Sequence, residues 1–241
     1  MARRLLHRVR VHGLTAITAL LCATAQAQDL KPEEFAPPSG KGAVVVVVSG
    51  ASGTANYRDT ATRLSALGYF AVLIDGASVY KRYPPAGFDG ASTLQRVIAQ
   101  ASAAPQAMPG KVALLGFSLG GAAVLVHGAQ MKDTVATVIA YYPAITPLGP
   151  DMTSLASRLQ VPVLLIAGEQ DRYVDCCLIG SMRALAAAPK SAPFELVTYP
   201  SADHGFNLED TQFAYVPQAA ADAWAKATAH LRRLLPPGGE R

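Results

Sequence analysis

The chain's 241 residues are 51% hydrophobic, 16% charged and 7% aromatic, a balance that buries one sizeable core and excludes a disordered chain or a coiled coil. Its formal charge of +4 comes from four arginines in the first 27 residues; setting those four apart from 21 basic residues leaves 17, against 17 acidic. No basic cluster remains, so no nucleic-acid partner is expected.

The N-terminal stretch reads as a leader. Met1 to Arg10 is basic, Leu14 to Thr24 is apolar, and Ala25-Gln26-Ala27 has the small-x-small pattern of a signal-peptidase site. The apolar run falls short of the roughly 20 residues that span a bilayer, which makes a permanent anchor the weaker alternative. Arg3-Arg4 matches a twin-arginine signal only loosely, and Leu21 is too large to precede Cys22 in a usual lipobox. Residues 1–27 are expected to be a signal peptide cleaved after Ala27. The remainder would be exported, periplasmic or secreted, with no stable membrane span.

Residues 28–42, rich in proline, are expected to be a linker or an irregular edge. Ala43 to Val48 is a continuous, mostly β-branched run, the mark of a strand covered on both faces, and it empties into the flexible Ser49–Gly53 loop. Tyr57 to Leu67 carries Ala61, Leu64 and Leu67 at helical spacing, with Gly68 as its stop. Tyr69 to Ile74 is a second buried strand, and a helix follows over about Thr93 to Ala103. Val112 to Leu115 is the third strand. It runs straight into Gly116-Phe117-Ser118-Leu119-Gly120 and then into an apolar helix, Ala122 to Gln130. Val135 to Tyr141 is the fourth strand, Pro143 to Asp151 a loop, and Met152 to Leu159 a short helix. The fifth strand, Val161 to Ala167, turns through Gly168-Glu169-Gln170-Asp171. A helix over Leu178 to Ala188 and a sixth strand over Phe194 to Tyr199 come next. Beyond the Pro200–Phe206 loop lies the last helix, Ala219 to Leu235, and residues 236–241 form a flexible tail. This alternation predicts one α/β domain over residues 43–235, a mostly parallel sheet with helices on both faces.

Gly-x-Ser-x-Gly decides little in a chain with 20 glycines. Between a buried strand and a helix it describes a nucleophile elbow. Gly116 and Gly120 permit the tight turn, Ser118 sits at its tip, and the amide of Leu119 points where an oxyanion would form. In parallel α/β sheets ligands bind beyond the carboxyl ends of the strands. The Ser49–Gly53 loop, Ser118, Asp171 and His204 follow the first, third, fifth and sixth strands, so all four are expected on one edge.

A serine hydroxyl needs a base to become a nucleophile. His7 and His12 belong to the leader, while His127 and His230 fall inside helices where packing or solvation accounts for them. His204 alone stands in a post-strand loop at the active edge. Asp171, directly after a buried strand, fits the residue that orients the imidazole. Asp175 is its rival, and a helix-capping turn is the competing reading of Asp171. Asp203 is too close to His204 in the chain to reach its far nitrogen. Cys176 and Cys177 are adjacent, so a disulfide between them would be strained; an oxidising compartment permits one, and a buried or free pair is the alternative.

Gly116-Phe117-Ser118-Leu119-Gly120-Gly121, Gly168-Glu169-Gln170-Asp171 and Asp203-His204-Gly205-Phe206 together resemble the signature segments of the dienelactone hydrolase family of α/β-hydrolases, over about residues 40 to 235. The resemblance implies a triad of Ser118, Asp171 and His204, with the backbone amides of Leu119 and Ala51 as the oxyanion hole. It also marks two departures. Dienelactone hydrolases carry a cysteine nucleophile, here Ser118, and a glutamate after the first core strand, here Gly50. A general serine esterase is therefore the expected activity, on small-molecule esters and with no cofactor or metal. The short span between the fourth and fifth strands leaves no room for a large lid domain. Tyr141, Tyr142 and Phe206 are candidates to line an open site, or else core.

Other readings stay in view. A thioesterase or peptidase would use the same triad. A non-catalytic binding module on this fold would ordinarily lack a triad member, and none is missing. A metal enzyme lacks support, because the histidines and adjacent cysteines show no ligand-like spacing. The Gly50–Gly53 segment lacks the lysine and the spacing of nucleotide-binding loops.

Overall fold

The computed structural model describes residues 30–209 and 211–238, so the expected leader and the last residues of the tail lie outside them. Five consecutive valines form β2 (Val44–Val48), and all five are buried. With them run β3 (Phe70–Ile74), β4 (Val112–Phe117), β5 (Val135–Tyr141), β6 (Val163–Gly168) and β7 (Phe194–Tyr199). These six strands are parallel, in the order β3-β2-β4-β5-β6-β7. Such pairing needs both faces covered, because a β-branched run is apolar on both sides.

One face is closed by α1 (Arg58–Ala66) and α6 (Pro217–Leu234), whose Leu64, Ala223, Ala227 and Leu231 meet Val45, Val47, Leu115, Ile139 and Leu164. The opposite face takes α2 (Gly90–Ala103), α3 (Leu119–Val126), α4 (Thr153–Ala156) and α5 (Ile179–Ala187). Leu94, Val124, Leu155 and Leu185 pack there on Val46, Val48, Leu114, Val138 and Leu165. Alternate residues of each strand thus feed two separate cores, and the chain has the α/β-hydrolase architecture.

The chain leaves β2 toward β3 and then returns to lay β4 on the other side of β2. That reversal opens a crevice between the loops after β2 and β4, where such sheets take their ligands. Between β5 and β6 there is only a 3-10 turn, Thr146–Leu148, and the four-residue α4, so no lid domain is inserted. The proline-rich lead-in contains one element that composition did not disclose, the antiparallel edge strand β1 (Glu33–Phe35) beside β3. Its anchor is a side chain: Glu33 accepts hydrogen bonds from Thr54 and Arg58, each at 2.6 Å. Three residues carry too little periodicity to read as a strand. Among the described residues no helix is long and apolar enough to cross a membrane.

Candidate active site

Strand β4 ends at Phe117 and α3 begins at Leu119, so Ser118 is a one-residue joint with φ 51° and ψ −110°. A residue with a side chain avoids that region at a cost of about 1–2 kcal/mol. Neighbouring backbone holds it there. Ser118 donates its N–H to the Tyr141 carbonyl at 2.9 Å, and its own carbonyl accepts from Ala122 at 3.0 Å and Ala144 at 2.9 Å. The flanking glycines are required by close approach: a Cβ at Gly116 would strike the Gly120 carbonyl, and one at Gly120 would strike the carbonyls of Val48 and Ser49. The first amides of α3, Leu119's among them, have no partner within the helix and are available to an anion.

The loop after β2 lies against this elbow. Buried Ser49 accepts from the Gly76 amide at 3.1 Å and donates to the Gly50 carbonyl at 3.0 Å, which pins the turn leading to Ala51. The Cβ direction of Gly50 comes within 3.4 Å of the Ser118 Cβ and is blocked by the Tyr57 hydroxyl. A glutamate at that position would have to displace the Tyr57 ring. Burial pushes the Tyr57 phenol up to about 12, so it keeps its proton.

The three polar groups expected on one rim meet. The Nε2 of His204 is 3.1 Å from Ser118 Oγ, and its Nδ1 is 2.8 Å from Asp171 Oδ2. Ser118, His204 and Asp171 are 6%, 3% and 0% exposed, so the contacts form in a water-poor setting that strengthens them. The carboxylate accepts only, which places the proton of the neutral ring on Nδ1 and leaves the Nε2 lone pair facing the hydroxyl. The second oxygen of Asp171 accepts from the Tyr173 amide at 3.1 Å. The rival Asp175 is exposed, and Asp203 spends its Oδ1 on the backbone amide of His204 at 2.7 Å.

Three aromatic rings enclose the imidazole. Tyr173 stacks on it with centroids 4.7 Å apart and planes at 18°. Tyr142 and Phe213 present edges at 4.7 and 5.1 Å. Phe213 can come this close because Gly205, at φ 64°, has no Cβ to collide with it. Sequence reasoning missed Tyr57, Tyr173 and Phe213. Tyr173 could have been found from its place two residues after Asp171, whereas nothing in the local pattern singles out Phe213.

Of the two readings open for Tyr141, Tyr142 and Phe206, lining the site or packing in the core, their burial favours the core. Tyr141, at the end of β5, turns toward α6 and donates its hydroxyl to the Ala223 carbonyl at 3.1 Å. Phe206 is wholly buried between Tyr142 and Tyr199. Tyr142 lies beneath His204 and donates to Asn207 Oδ1 at 2.8 Å. Tyr142 and Phe206 therefore support the site from the core, and Tyr141, itself buried, also borders the groove lined by Arg63, Phe117, Asn207 and Trp224. Burial raises the phenol pKa of both Tyr141 and Tyr142.

His127 and His230 belong to the scaffold. His127 packs near Tyr80, and burial lowers its pKa. His230 accepts from Arg233 on Nδ1 at 3.2 Å, so its Nε2 donates to Thr137 Oγ1 at 2.7 Å while Thr137 donates to the Pro162 carbonyl. Burial lowers His230 to about 4. Cys176 and Cys177 are joined by a disulfide. Both sulfurs and a ring nitrogen of His204 fall within 4.8 Å of one another, a proximity that linear spacing did not disclose.

The model of the dienelactone hydrolase family matches residues 33–235. A carboxymethylenebutenolidase-like protein of Synechocystis sp. is 27% identical over 213 residues, covering 78% of this chain and 84% of its own. Among solved structures, a dienelactone hydrolase-type protein from Klebsiella pneumoniae superposes with a TM-score of 0.64 at 21% identity, covering 83% of this chain and 97% of its own. The carboxylesterase Cest-2923 of Lactobacillus plantarum gives 0.62 at 15% identity, with 86% and 93% covered. At these identities the structural likeness speaks for the fold.

Proposed function

The chain belongs to the dienelactone hydrolase family and is a serine hydrolase with an esterase-like role; from that premise we propose that it cleaves carboxylic esters through an acyl-enzyme on Ser118. The observation that carries the proposal is the continuous line Ser118 Oγ, His204 Nε2, His204 Nδ1, Asp171 Oδ2, with links of 3.1 and 2.8 Å.

The chemistry follows from that line. As Ser118 Oγ attacks the ester carbonyl, His204 Nε2 takes its proton and Asp171 steadies the imidazolium that forms. The amides of Leu119 and Ala51 receive the charge on the carbonyl oxygen, and fixed donors in a dry site need no reorganisation to do so. Collapse of the tetrahedral species expels the alcohol, which takes the proton back from Nε2. Water then enters, gives its proton to His204 and attacks the acyl carbon. Departure of Ser118 restores the starting state.

The absence of an inserted lid between β5 and β6 favours small or surface-accessible esters. The leader-like composition of residues 1–27 supports export to the periplasm or medium. Replacing Ser118 by Ala should abolish turnover of p-nitrophenyl acetate and labelling by a fluorophosphonate, while far-UV circular dichroism stays unchanged. Turnover or labelling that survives in a folded Ser118→Ala protein would remove Ser118 from the mechanism.

A further inference from the structure

The loop that supplies Asp171 continues through Tyr173 to Cys176 and Cys177 and folds back on the imidazole. Cys177 is wholly buried, Cys176 is half-buried, and both sulfurs lie within 4.8 Å of a His204 ring nitrogen. The hydrolytic reaction uses neither sulfur. In the disulfide state they are weak donors; as thiols they would make, with the imidazole, a two-sulfur, one-nitrogen donor set of the kind that binds zinc. We propose that reduction of the Cys176–Cys177 bond converts this corner of the active site into a binding site for a thiophilic divalent cation such as Zn²⁺, held by Cys176, Cys177 and His204, and that the bound cation switches hydrolysis off.

The switching follows from the positions of the ring nitrogens and rests on the triad reading above. One nitrogen of His204 faces Ser118 and the other faces Asp171. A cation on Nε2 removes the base, and a cation on Nδ1 removes the group that orients the ring. Tetrahedral zinc asks for sulfur–sulfur separations of about 3.8 Å and sulfur–nitrogen separations of about 3.6 Å, from bond lengths of about 2.3 and 2.0 Å. Once the sulfurs are unlinked, side-chain torsions supply a rearrangement on that scale. The reduction is a two-electron step: a dithiol reductant gives two electrons and two protons to the sulfur–sulfur bond and closes to its own disulfide. Each cysteine thiol then releases its proton as the cation binds.

The test compares oxidised protein with protein reduced by a phosphine, which takes the oxygen of water and leaves two thiols. Cadmium serves as the spectroscopic probe and zinc as the inhibitor. The reduced chain should bind one cadmium with cadmium–thiolate charge-transfer absorbance, and stoichiometric zinc should lower its p-nitrophenyl acetate turnover at least tenfold, reversibly by chelator. The oxidised chain should do neither. His204→Ala, reduced, should bind cadmium at least tenfold more weakly, a readout that needs no activity. The paired substitution Cys176→Ser with Cys177→Ser should make turnover indifferent to zinc after reduction. Fluorophosphonate labelling of the oxidised chain reports separately on the triad, so its failure leaves the cadmium result to stand or fall alone. The proposal is overturned if the reduced chain binds no cadmium, if His204→Ala binds it equally well, if zinc inhibits the oxidised chain equally, or if reduction in excess chelator by itself abolishes labelling.

Discussion

The two loops that face His204 are shaped by different physics. At the elbow after β4 the distortion falls on one residue, Ser118, and neighbouring backbone enforces it through glycines that leave no other path. In the loop after β6 the unusual backbone falls on Val174, at φ 42°, and Asp175, at φ 51°, neither of them a glycine. Distant groups hold that loop: Tyr173 stacks on His204, while Thr146 donates its amide to the Cys176 carbonyl at 3.0 Å and accepts from the Leu178 amide at 2.9 Å. One loop is set by its own residues, the other by partners elsewhere in the chain. The elbow should therefore break at once when a single methyl is added, and the second loop should yield by degrees.

The largest effect is expected at the acid itself. Asp171→Asn keeps the shape but presents an amide to Nδ1, which favours the wrong tautomer; kcat/KM on p-nitrophenyl acetate should fall roughly 10⁴-fold with the fold intact. A loss of less than tenfold would make Asp171 a turn residue only. At the elbow, Gly120→Ala drives a Cβ into the carbonyls of Val48 and Ser49. It should cost about 3 kcal/mol or more and lower Tm by roughly 10 °C. A folded, fully active Gly120→Ala protein would show that the elbow is softer than its packing implies.

Acid offers a control outside both loops. Because the folded pKa of His230 is about 4, below the ordinary imidazole value of about 6.5, the folded chain binds fewer protons there than the unfolded one. Its contribution is complete above about pH 6.5 and drains away as pH falls toward 4, by up to about 3 kcal/mol. Urea titrations across that window should show the loss, and His230→Asn should flatten it. An unchanged slope in the variant would place the acid sensitivity elsewhere.

Smaller effects distinguish the loop after β6. Tyr173→Ala removes one stacked ring from the imidazole and should lower kcat/KM about three- to tenfold, in line with about 0.5–1.5 kcal/mol for an aromatic pair. Val174→Gly relieves a β-branched residue in left-handed backbone at an exposed position. The net gain should be about 0.5–1 kcal/mol after the entropy of glycine, a Tm rise of roughly 2–3 °C by calorimetry. A fall in Tm would mean that the valine side chain contributes more than its backbone costs.

The elements written in strong local patterns were legible from the chain alone. Val44–Val48, Val112–Phe117 and Val163–Gly168 are apolar runs that only a doubly covered strand explains. Gly116 and Gly120 announce a turn that needs absent side chains. Chain order placed Ser118, Asp171 and His204 on one rim, because parallel strands deliver all their following loops to the same edge. The edge strand Glu33–Phe35 was hidden, since a three-residue strand is defined by its neighbour and not by its own period.

What the sequence by itself determined, then, is the layered sheet, its active edge and the residue types carried there, because periodicity and glycine spacing are local properties that survive without knowledge of partners. Only the tertiary structure decided which aromatic rings touch the imidazole, that Tyr141 and Phe206 serve the core, and that two cysteines stand beside His204. Those facts are distances between residues far apart in the chain, set by how two cores fill and not by any pattern along the backbone.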